Sequence, residues 1–375
     1  MKQFLLLCTS ILFFQSANFA QKIGSETIEI KFTQLPLVPV PNGTMTYDVE
    51  YRNAHEEEVN AAENSYVEDK EAAQDEVDSE HQAVKIINAI GGNSTKARVV
   101  EKPYLPIVYT ESNVLQKFTL NELSRSESPD VKLQINFNGF NYTKLQMTST
   151  KSDVKYYYYS IKAKHEMSVS LTDNTGNIIH EFDVPKSNKI KTSSTKSFSS
   201  RSALDAYWAN SKHNVLRPLE RKITDYNIKV AQREITNQFG ISDQTKKVKV
   251  GVVSGKKLDY SEYTKAYELV FEGAMLYYDD NENAKVAIKK ALDLWEGALK
   301  ESDLTNKKAR VNDKVTAATR YNCALFYCWV NDHNKANYHL MKLKLLDMSK
   351  YKRQVKELKV FIDDHKARYE ANVES

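Results

Sequence analysis

The sequence predicts an α+β protein in which antiparallel β-rich N-terminal modules with flanking helices precede an all-α array of helical hairpins. Before residue 185, several segments alternate apolar and polar side chains with a period of two, which is typical of strands with one buried face. From Asp259 onward the apolar residues recur at helical spacing. With 375 residues, 41% of them hydrophobic, the chain can form two or three domains with their own cores.

Charge and hydropathy exclude several classes of protein. The net charge of +4 is too small to indicate nucleic-acid binding, and a charged fraction of 27% is ordinary for a globular protein. After the N-terminus there is no apolar run of about 18 residues. We therefore expect no nucleic-acid partner and no transmembrane segment in the mature chain.

Residues 1–20 have the pattern of a secretory signal peptide. Lys2 precedes an apolar run from Phe4 to Phe14, and small residues lead up to Ala20. We expect export with cleavage after Ala20. The predicted location is the periplasm or the outer membrane as an associated protein, with an extracellular location as the alternative.

The first predicted module, residues 21–122, combines strands with an acidic helix. Ile28, Ile30 and Phe32 alternate with polar residues, and the alternation resumes after a proline-rich segment that ends in an Asn42-Gly43 turn. Residues 54–82 hold eleven acidic residues against one lysine and carry a thin apolar stripe. That pattern predicts a solvated helix with one face lightly docked. The alternative is an acidic surface for a basic partner or for calcium, although no EF-hand spacing is present.

The second predicted module, residues 131–257, follows a segment at 123–130 that has the composition of a linker. Asn138-Gly139 predicts a hairpin turn between two strands. The long alternating run from Tyr156 to Leu171 predicts a strand with a bend or bulge within it.

The second half of this module predicts a long helix and a basic surface. A helical stripe runs from Leu204 to Val230, and Pro218 is expected to kink or split the helix. A short strand at 248–253 closes the module. Residues 185–257 contain sixteen lysines and arginines against five acids, so this stretch can attract the acidic helix or face a partner.

The tyrosines at the start of the long alternating run are candidate binding residues. Tyr156 and Tyr158 are expected to point away from the core, beside Lys162 and Lys164. Outward rings of this kind can stack on a sugar or contact a partner strand. The more ordinary interpretation is that they cover the sheet.

The third predicted domain, residues 258–375, consists of five helices joined by Asn/Asp loops. In two of its hairpins a small residue and a tyrosine precede the loop, first as Ala274 and Tyr277 and then as Ala324 and Tyr327. Small residues let the helices of a hairpin approach closely, and large ones fill the gaps between hairpins. The predicted helices are 260–278, 284–300, 307–330, 335–348 and 351–372.

The segment ALFYCWVNDHNKA at 324–336 resembles the tetratricopeptide-like repeat family at the end of one helix, the turn and the start of the next. The resemblance covers about residues 260–372 and implies a scaffold that binds protein segments on a concave face. Stacked helical hairpins without this binding mode remain an alternative. The candidate packing or groove residues are Tyr267, Tyr277, Trp295, Tyr321 and Tyr327.

A second resemblance concerns the N-terminal signal, one proline-rich segment and the composition of the chain. The signal that ends in FA before Gln21, the QLPLVPVP segment and the richness in Lys, Asn and Tyr resemble secreted β-plus-repeat proteins of the Bacteroidota envelope. This resemblance implies a location at the cell envelope.

Residue patterns that carry catalysis or bind metal are weak. GVVSGKK at 251–257 lacks the spacing and the final Ser or Thr of a phosphate loop, and the eight histidines form no HExxH or similar spacing. His165 and His180 are expected on neighbouring strands, where they would still need further metal ligands. Cys323 and Cys328 lie five residues apart on one predicted helix, so we expect buried free thiols rather than a disulfide.

The sequence therefore predicts a secreted non-enzymatic protein-binding or assembly factor of the cell envelope, with no catalytic residue, cofactor or metal and with protein partners in the envelope. The alternative is a ligand-binding periplasmic β protein, for glycan or lipid, with a helical C-terminal support domain.

Overall fold

The computed structural model of the chain describes residues 22–79, 84, 86, 87, 90 and 100–373, so the predicted signal peptide lies outside the described residues. The fold is mixed α+β, as predicted. Its elements in chain order are β1 (Lys22–Gln34), β2 (Thr46–Asn53), α1 (Glu56–Asp78), α2 (Glu111–Leu115), β3 (Ser124–Arg125), β4 (Val131–Lys151), β5 (Val154–Asp173), β6 (Ile178–Asp183), β7 (Lys191–Ser194), α3 (Arg201–Phe239), β8 (Ser242–Ser254), α4 (Ser261–Leu276), α5 (Asn281–Leu299), α6 (Asp313–Trp329), α7 (His333–Leu345) and α8 (Lys352–Val373).

The chain divides into two compact units whose bounds differ from the predicted modules. The described residues of Met1–Pro39 and Phe239–Ser375 form one, here called the helical unit, and Val40–Gln238 forms the other, the sheet unit. The predicted first module contained β1. The structure groups β1 with the C-terminal helices because its partner strand is β8.

Strands β1 and β8 form a two-stranded antiparallel ribbon in the helical unit. Every residue from Lys22 to Gln34 has a partner, in a register that runs from Ser254 back to Ser242. The predicted strand at 248–253 is therefore the C-terminal half of a longer strand. One face of the ribbon is buried against the helices, because β-branched residues occupy its alternate positions: Ile28, Ile30, Val248 and Val250.

The five predicted C-terminal helices are present as α4 to α8, with ends shifted by a few residues. Their core contains the fully buried Trp295, Phe326 and Trp329. The Asn322 side chain on α6 joins the helices to the ribbon: its Oδ1 accepts from the Gly251 backbone N–H and its Nδ2 donates to the Gly251 carbonyl, each at 2.8 Å. The side-chain amide thereby satisfies both backbone hydrogen-bonding groups of Gly251, as a neighbouring strand would. Cys323 and Cys328 are buried free thiols, as predicted.

The sheet unit is built on a long, curled antiparallel hairpin of β4 and β5. Strands are ordered β3-β2-β4-β5-β6, and β7 pairs with residues 160–163 of β5. The β2–β4 pair is parallel, which places the first strand of the unit beside Val131–Phe137. The face of β5 that holds Tyr159, Ile161 and Ala163 is buried, as its alternation predicted.

The predicted hairpin turn at Asn138-Gly139 is wrong. Strand β4 continues through these residues with a bulge between Phe137 and Phe140, and Gly139 supplies the positive φ (108°) that the bulge requires. The chain reverses instead at Ser152 and Asp153, which both adopt positive φ in the manner of a type I′ turn. The irregularity predicted within β5 therefore lies on its partner strand.

The predicted linker at 123–130 is part of the sheet unit. Ser124 and Arg125 pair with β2 in parallel. The Asp130 carboxylate accepts from the backbone N–H groups of Met45 and Thr46 and from the Thr46 hydroxyl, at 3.0, 2.9 and 2.8 Å. This segment therefore packs at the edge of the sheet, because the Asp130 carboxylate accepts hydrogen bonds from backbone N–H groups.

Helix α3 is continuous, and Pro218 neither splits it nor ends it. Pro218 and Asn214, whose carbonyl loses its helical donor, are both exposed, so the missing hydrogen bond lies on the solvent side. The buried face of α3 is more polar than its apolar stripe predicted. Four polar residues are buried on it: Lys212, Glu220, Thr224 and Asn227.

Helix α1 is the solvated acidic helix that the sequence predicted. Val59 and Ala73 are its buried residues, and the carboxylates are exposed. Among the helices that the structure describes, none is long and apolar enough to span a membrane.

Two helical glycines give a matched test of the packing between α4 and α5. A Cβ at Gly273 would lie 2.7 Å from Ile288 Cγ1 and 3.0 Å from the Ala284 carbonyl, whereas a Cβ at Gly297 would have no neighbour within 4 Å. We expect Gly273→Ala to lower the free energy of unfolding by about 1–3 kcal/mol, because backbone must move. Gly297→Ala should be neutral or stabilising by up to about 1 kcal/mol. Urea denaturation of both variants measures the difference, and equal effects would contradict the close approach.

Candidate functional site

Two adjoining grooves lie at one end of the helices in the helical unit. One has a volume of about 810 Å³ and is here called the charged groove. The other, the aromatic groove, has a volume of about 430 Å³ and reaches the end of β1. Lys285, Asn331 and Tyr369 line both, so the two form a continuous surface.

Loop residues at the ends of two hairpins create these grooves. The Asp280 carboxylate caps α5 by accepting from the Asn283 N–H, and the Asp332 carboxylate caps α7 by accepting from the Lys335 N–H at 3.0 Å. Asn331 adopts a positive φ of 64°, which ends the preceding helix sharply. Both hairpins therefore turn at the same end of the unit, where α8 completes the wall.

The aromatic groove is organised around Trp329. Its ring contacts Phe32, Tyr277 and Phe361, with ring centroids 5.1, 5.1 and 5.4 Å away. The Tyr277 hydroxyl donates to the Trp329 carbonyl at 2.8 Å. The contacts with Phe32 and Tyr277 are edge-to-face and the contact with Phe361 is tilted, and such aromatic pairs favour defined ring orientations.

A positive charge lies within the aromatic wall. The Lys246 ammonium is 4.1 Å from the centre of the Phe361 ring. Burial lowers the pKa of Lys246, and the Asp364 carboxylate acts in the opposite direction. Arg368 donates to the Leu35 carbonyl at 2.6 Å and pairs with Asp364 at 2.9 Å. The groove thus offers an apolar surface beside cationic groups.

The charged groove presents both signs of charge. Lys285 and Lys366 lie 3.5 Å from Glu282 and Glu370 in helical pairs. The Lys335 ammonium lies 4.9 Å from the centre of the Tyr327 ring. Such exposed pairs are weak, so these side chains can exchange partners with a bound molecule.

Three potential metal ligands meet between the two grooves. One ligand atom from each of Cys328, His333 and His365 lies within 4.8 Å of the other two. His333 Nε2 and His365 Nδ1 are 3.0 Å apart. Burial lowers the pKa of His365 to about 4 and raises the pKa of the Cys328 thiol. The sequence prediction missed this group because its members come from three helices. The one local signal was the spacing of Cys328 and His333 across a helix end.

The predicted interaction residues fall into three groups in the structure. Tyr277 lines the aromatic groove and Tyr327 the charged groove. Trp295, Tyr321 and Tyr267 lie outside both: Trp295 is buried against Phe326, Tyr321 lies near Tyr351, and Tyr267 packs beside the exposed Phe271. Tyr156 and Tyr158 are half-buried on the outer face of β5 in the sheet unit.

His165 and His180 lie on the neighbouring strands β5 and β6, as expected, but they are not opposite each other, because His180 pairs with Leu171. His165 is fully buried and its ring lies 6.1 Å from that of His55. Its Nδ1 is 2.6 Å from the Thr224 hydroxyl, and its Nε2 has no hydrogen-bond partner among the described residues.

The predicted basic surface is a groove on α3 in the sheet unit, with a volume of about 930 Å³. Five cationic side chains line it and one acid, Asp225, accompanies them. The cationic residues are Lys102, Arg217, Arg221, Lys222 and Lys229.

No protein-family profile matches the chain, and no curated protein matches it. Function is therefore inferred from the geometry of the sites.

The buried His165 imidazole makes the free energy of unfolding depend on pH. Burial lowers its pKa from 6.5 to about 4, with a smaller effect from His55. The unfolded chain therefore takes up a proton first as the pH falls from 6.5 to 4. We expect the free energy of unfolding to drop by roughly 3 kcal/mol across this window through His165. Above pH 6.5 this contribution is constant.

Denaturation at several pH values tests this expectation with two variants. His165→Leu removes the buried imidazole and should lessen the fall in stability between pH 6.5 and 4, while His365, whose pKa burial also lowers to about 4, keeps part of the dependence. His180→Leu is the control: it removes a histidine from β6 and leaves the contacts of His165 with Thr224 and His55 in place. An unchanged slope in His165→Leu would show that other groups cause the acid sensitivity.

Proposed function

We propose that the protein is an exported, non-enzymatic binding factor of the cell envelope that holds a polypeptide segment of a partner protein, with the helical unit as a tetratricopeptide-like scaffold. One observation carries the proposal: Tyr277 and Tyr327, at the ends of two successive hairpins, line two adjoining grooves. An extended segment spans about 3.3 Å per residue, so a short peptide can follow both grooves.

The chemistry of the grooves suggests what such a segment contains. The wall of Phe32, Trp329 and Phe361 suits a large apolar side chain. Lys246, which has a lowered pKa and an aromatic neighbour, favours an acidic group beside it.

Packing in the helical unit supports a repeat-like scaffold. Small residues lie buried where hairpin helices approach, at Ala266, Gly273 and Ala274 of α4 and at Ala284 and Ala291 of α5. Burial raises the pKa of both thiols, which disfavours the free thiolate that a cysteine enzyme needs.

The outer face of the β4–β5 hairpin supports a second candidate, the binding of a glycan or lipid by the sheet unit. Register places Tyr158 opposite Met147 and Tyr156 opposite Ser149. Met147, Leu145 and Val154 on the same face are 42%, 49% and 47% exposed. Apolar groups that line up on an exposed strand surface are a candidate contact for an apolar molecule or a sugar face.

Site-specific photo-crosslinking in native envelopes tests the first candidate. A photoreactive residue replaces Lys285, which lines both grooves, and in a control it replaces Val360, an exposed residue of α8 that lines neither. We expect a covalent adduct with a partner protein at position 285 and none at 360. Adding Tyr369→Ala should reduce the adduct, because its ring lines both grooves.

Equal labelling at positions 285 and 360, or none at 285, would contradict the groove proposal. Binding to glycan or lipid that Tyr156→Ser with Tyr158→Ser abolishes would favour the second candidate. Circular dichroism of each variant confirms that the fold is intact.

A further inference from the structure

We propose that Cys328, His333 and His365 form a binding site for one thiophilic transition-metal ion of the Zn²⁺ class. The site goes beyond the binding of a polypeptide: Cys328 lines neither groove, while His333 lines the charged groove and His365 the aromatic groove.

The spacing of the three ligand atoms fits a single ion. Tetrahedral zinc with bonds of about 2.0–2.3 Å places its ligand atoms roughly 3.3–3.6 Å apart. The three atoms lie within 4.8 Å of one another, and the two imidazole nitrogens are 3.0 Å apart. Small side-chain rotations that change these separations by roughly 1 Å would bring all three atoms to bonding distance.

The site is anchored on three different elements. Cys328 lies in the last turn of α6, His333 is the first residue of α7, and His365 lies in the middle of α8. Cys328 and His333 are buried, and Trp329 packs edge-on against His365 with centroids 5.9 Å apart. An ion bound here would cross-link the helices that form both grooves.

Ligand chemistry selects the class of ion. One thiolate with two neutral imidazoles suits Zn²⁺, Co²⁺ or Cu⁺, whereas Ca²⁺ and Mg²⁺ require oxygen ligands. Binding replaces the S–H bond of Cys328 with a metal–sulfur bond, and the proton passes to solvent. The hydrogen bond between the two imidazoles gives way to two metal–nitrogen bonds, and the imidazole that donated this bond carries its proton on its other ring nitrogen instead. No change of oxidation state is involved.

The surroundings leave a fourth coordination position reachable. His333 lines the charged groove and His365 the aromatic groove, so water or a ligand group has access from either side. The Asp364 carboxylate, held by Arg368 at 2.9 Å, adds negative charge near the site and partly offsets the Lys246 ammonium.

Cobalt titration of the reduced full chain tests the site directly. We expect one equivalent of Co²⁺ to give visible d–d bands of tetrahedral form and a near-ultraviolet thiolate-to-cobalt charge-transfer band, both lost on addition of Zn²⁺. Cys328→Ser should abolish the charge-transfer band, and His365→Ala should weaken binding. Cys323→Ser is the matched control, because Cys323 is buried on the same helix and belongs to no such group in the described part.

A second readout guards against misfolding of the variants. Zn²⁺ should raise the Tm of the unmodified chain and of Cys323→Ser but leave that of Cys328→Ser unchanged. Absence of the charge-transfer band in the unmodified chain, or its retention in Cys328→Ser, would overturn the proposal. Loss of both readouts in Cys323→Ser would also overturn it, while groove crosslinking at position 285 would remain an independent result.

Discussion

The helical unit depends on the pairing of β1 with β8 over thirteen residues. A two-stranded ribbon is marginal alone, so this one is stable because its apolar face packs on α4 and α6. The same ribbon delivers Phe32 to the aromatic groove. Beyond it, Arg368 and Asn372 on α8 donate to the carbonyls of Leu35 and Pro36, at 2.6 and 2.8 Å, and fix the proline-rich segment.

Trp329 links the groove to the buried thiol and imidazole group. Its ring contacts the groove wall on one side and His365 on the other. The residue before it, Cys328, faces the two histidines. The polar groups are concentrated where helices end, because capping requires Asn and Asp there.

In the sheet unit, the long helix α3 buries polar side chains that each have a hydrogen-bond or ion-pair partner. Glu220 accepts from the Tyr104 hydroxyl at 2.5 Å and from the Ile107 N–H at 2.9 Å, and Lys212 pairs with Glu101 at 2.6 Å. Burial raises the pKa of Glu220, with desolvation as the main cause. Buried polar groups are tolerated when they are hydrogen-bonded, and they then fix which face of the helix meets the sheet.

Local sequence pattern alone predicted the strands of the β4–β5 hairpin, the five C-terminal helices and the solvated acidic helix. The spacing of apolar residues, about 2 in a strand and about 3.6 in a helix, is a property of a single element and can be read without its neighbours. Prediction from the sequence failed where a segment distant along the chain determines the local structure. Asn138-Gly139 can form a turn or a bulge, and the partner strand selects the bulge. The ribbon partner of β1 lies more than 200 residues away. Cys328, His333 and His365 come together only because three helices pack, so tertiary structure alone decided the candidate metal site.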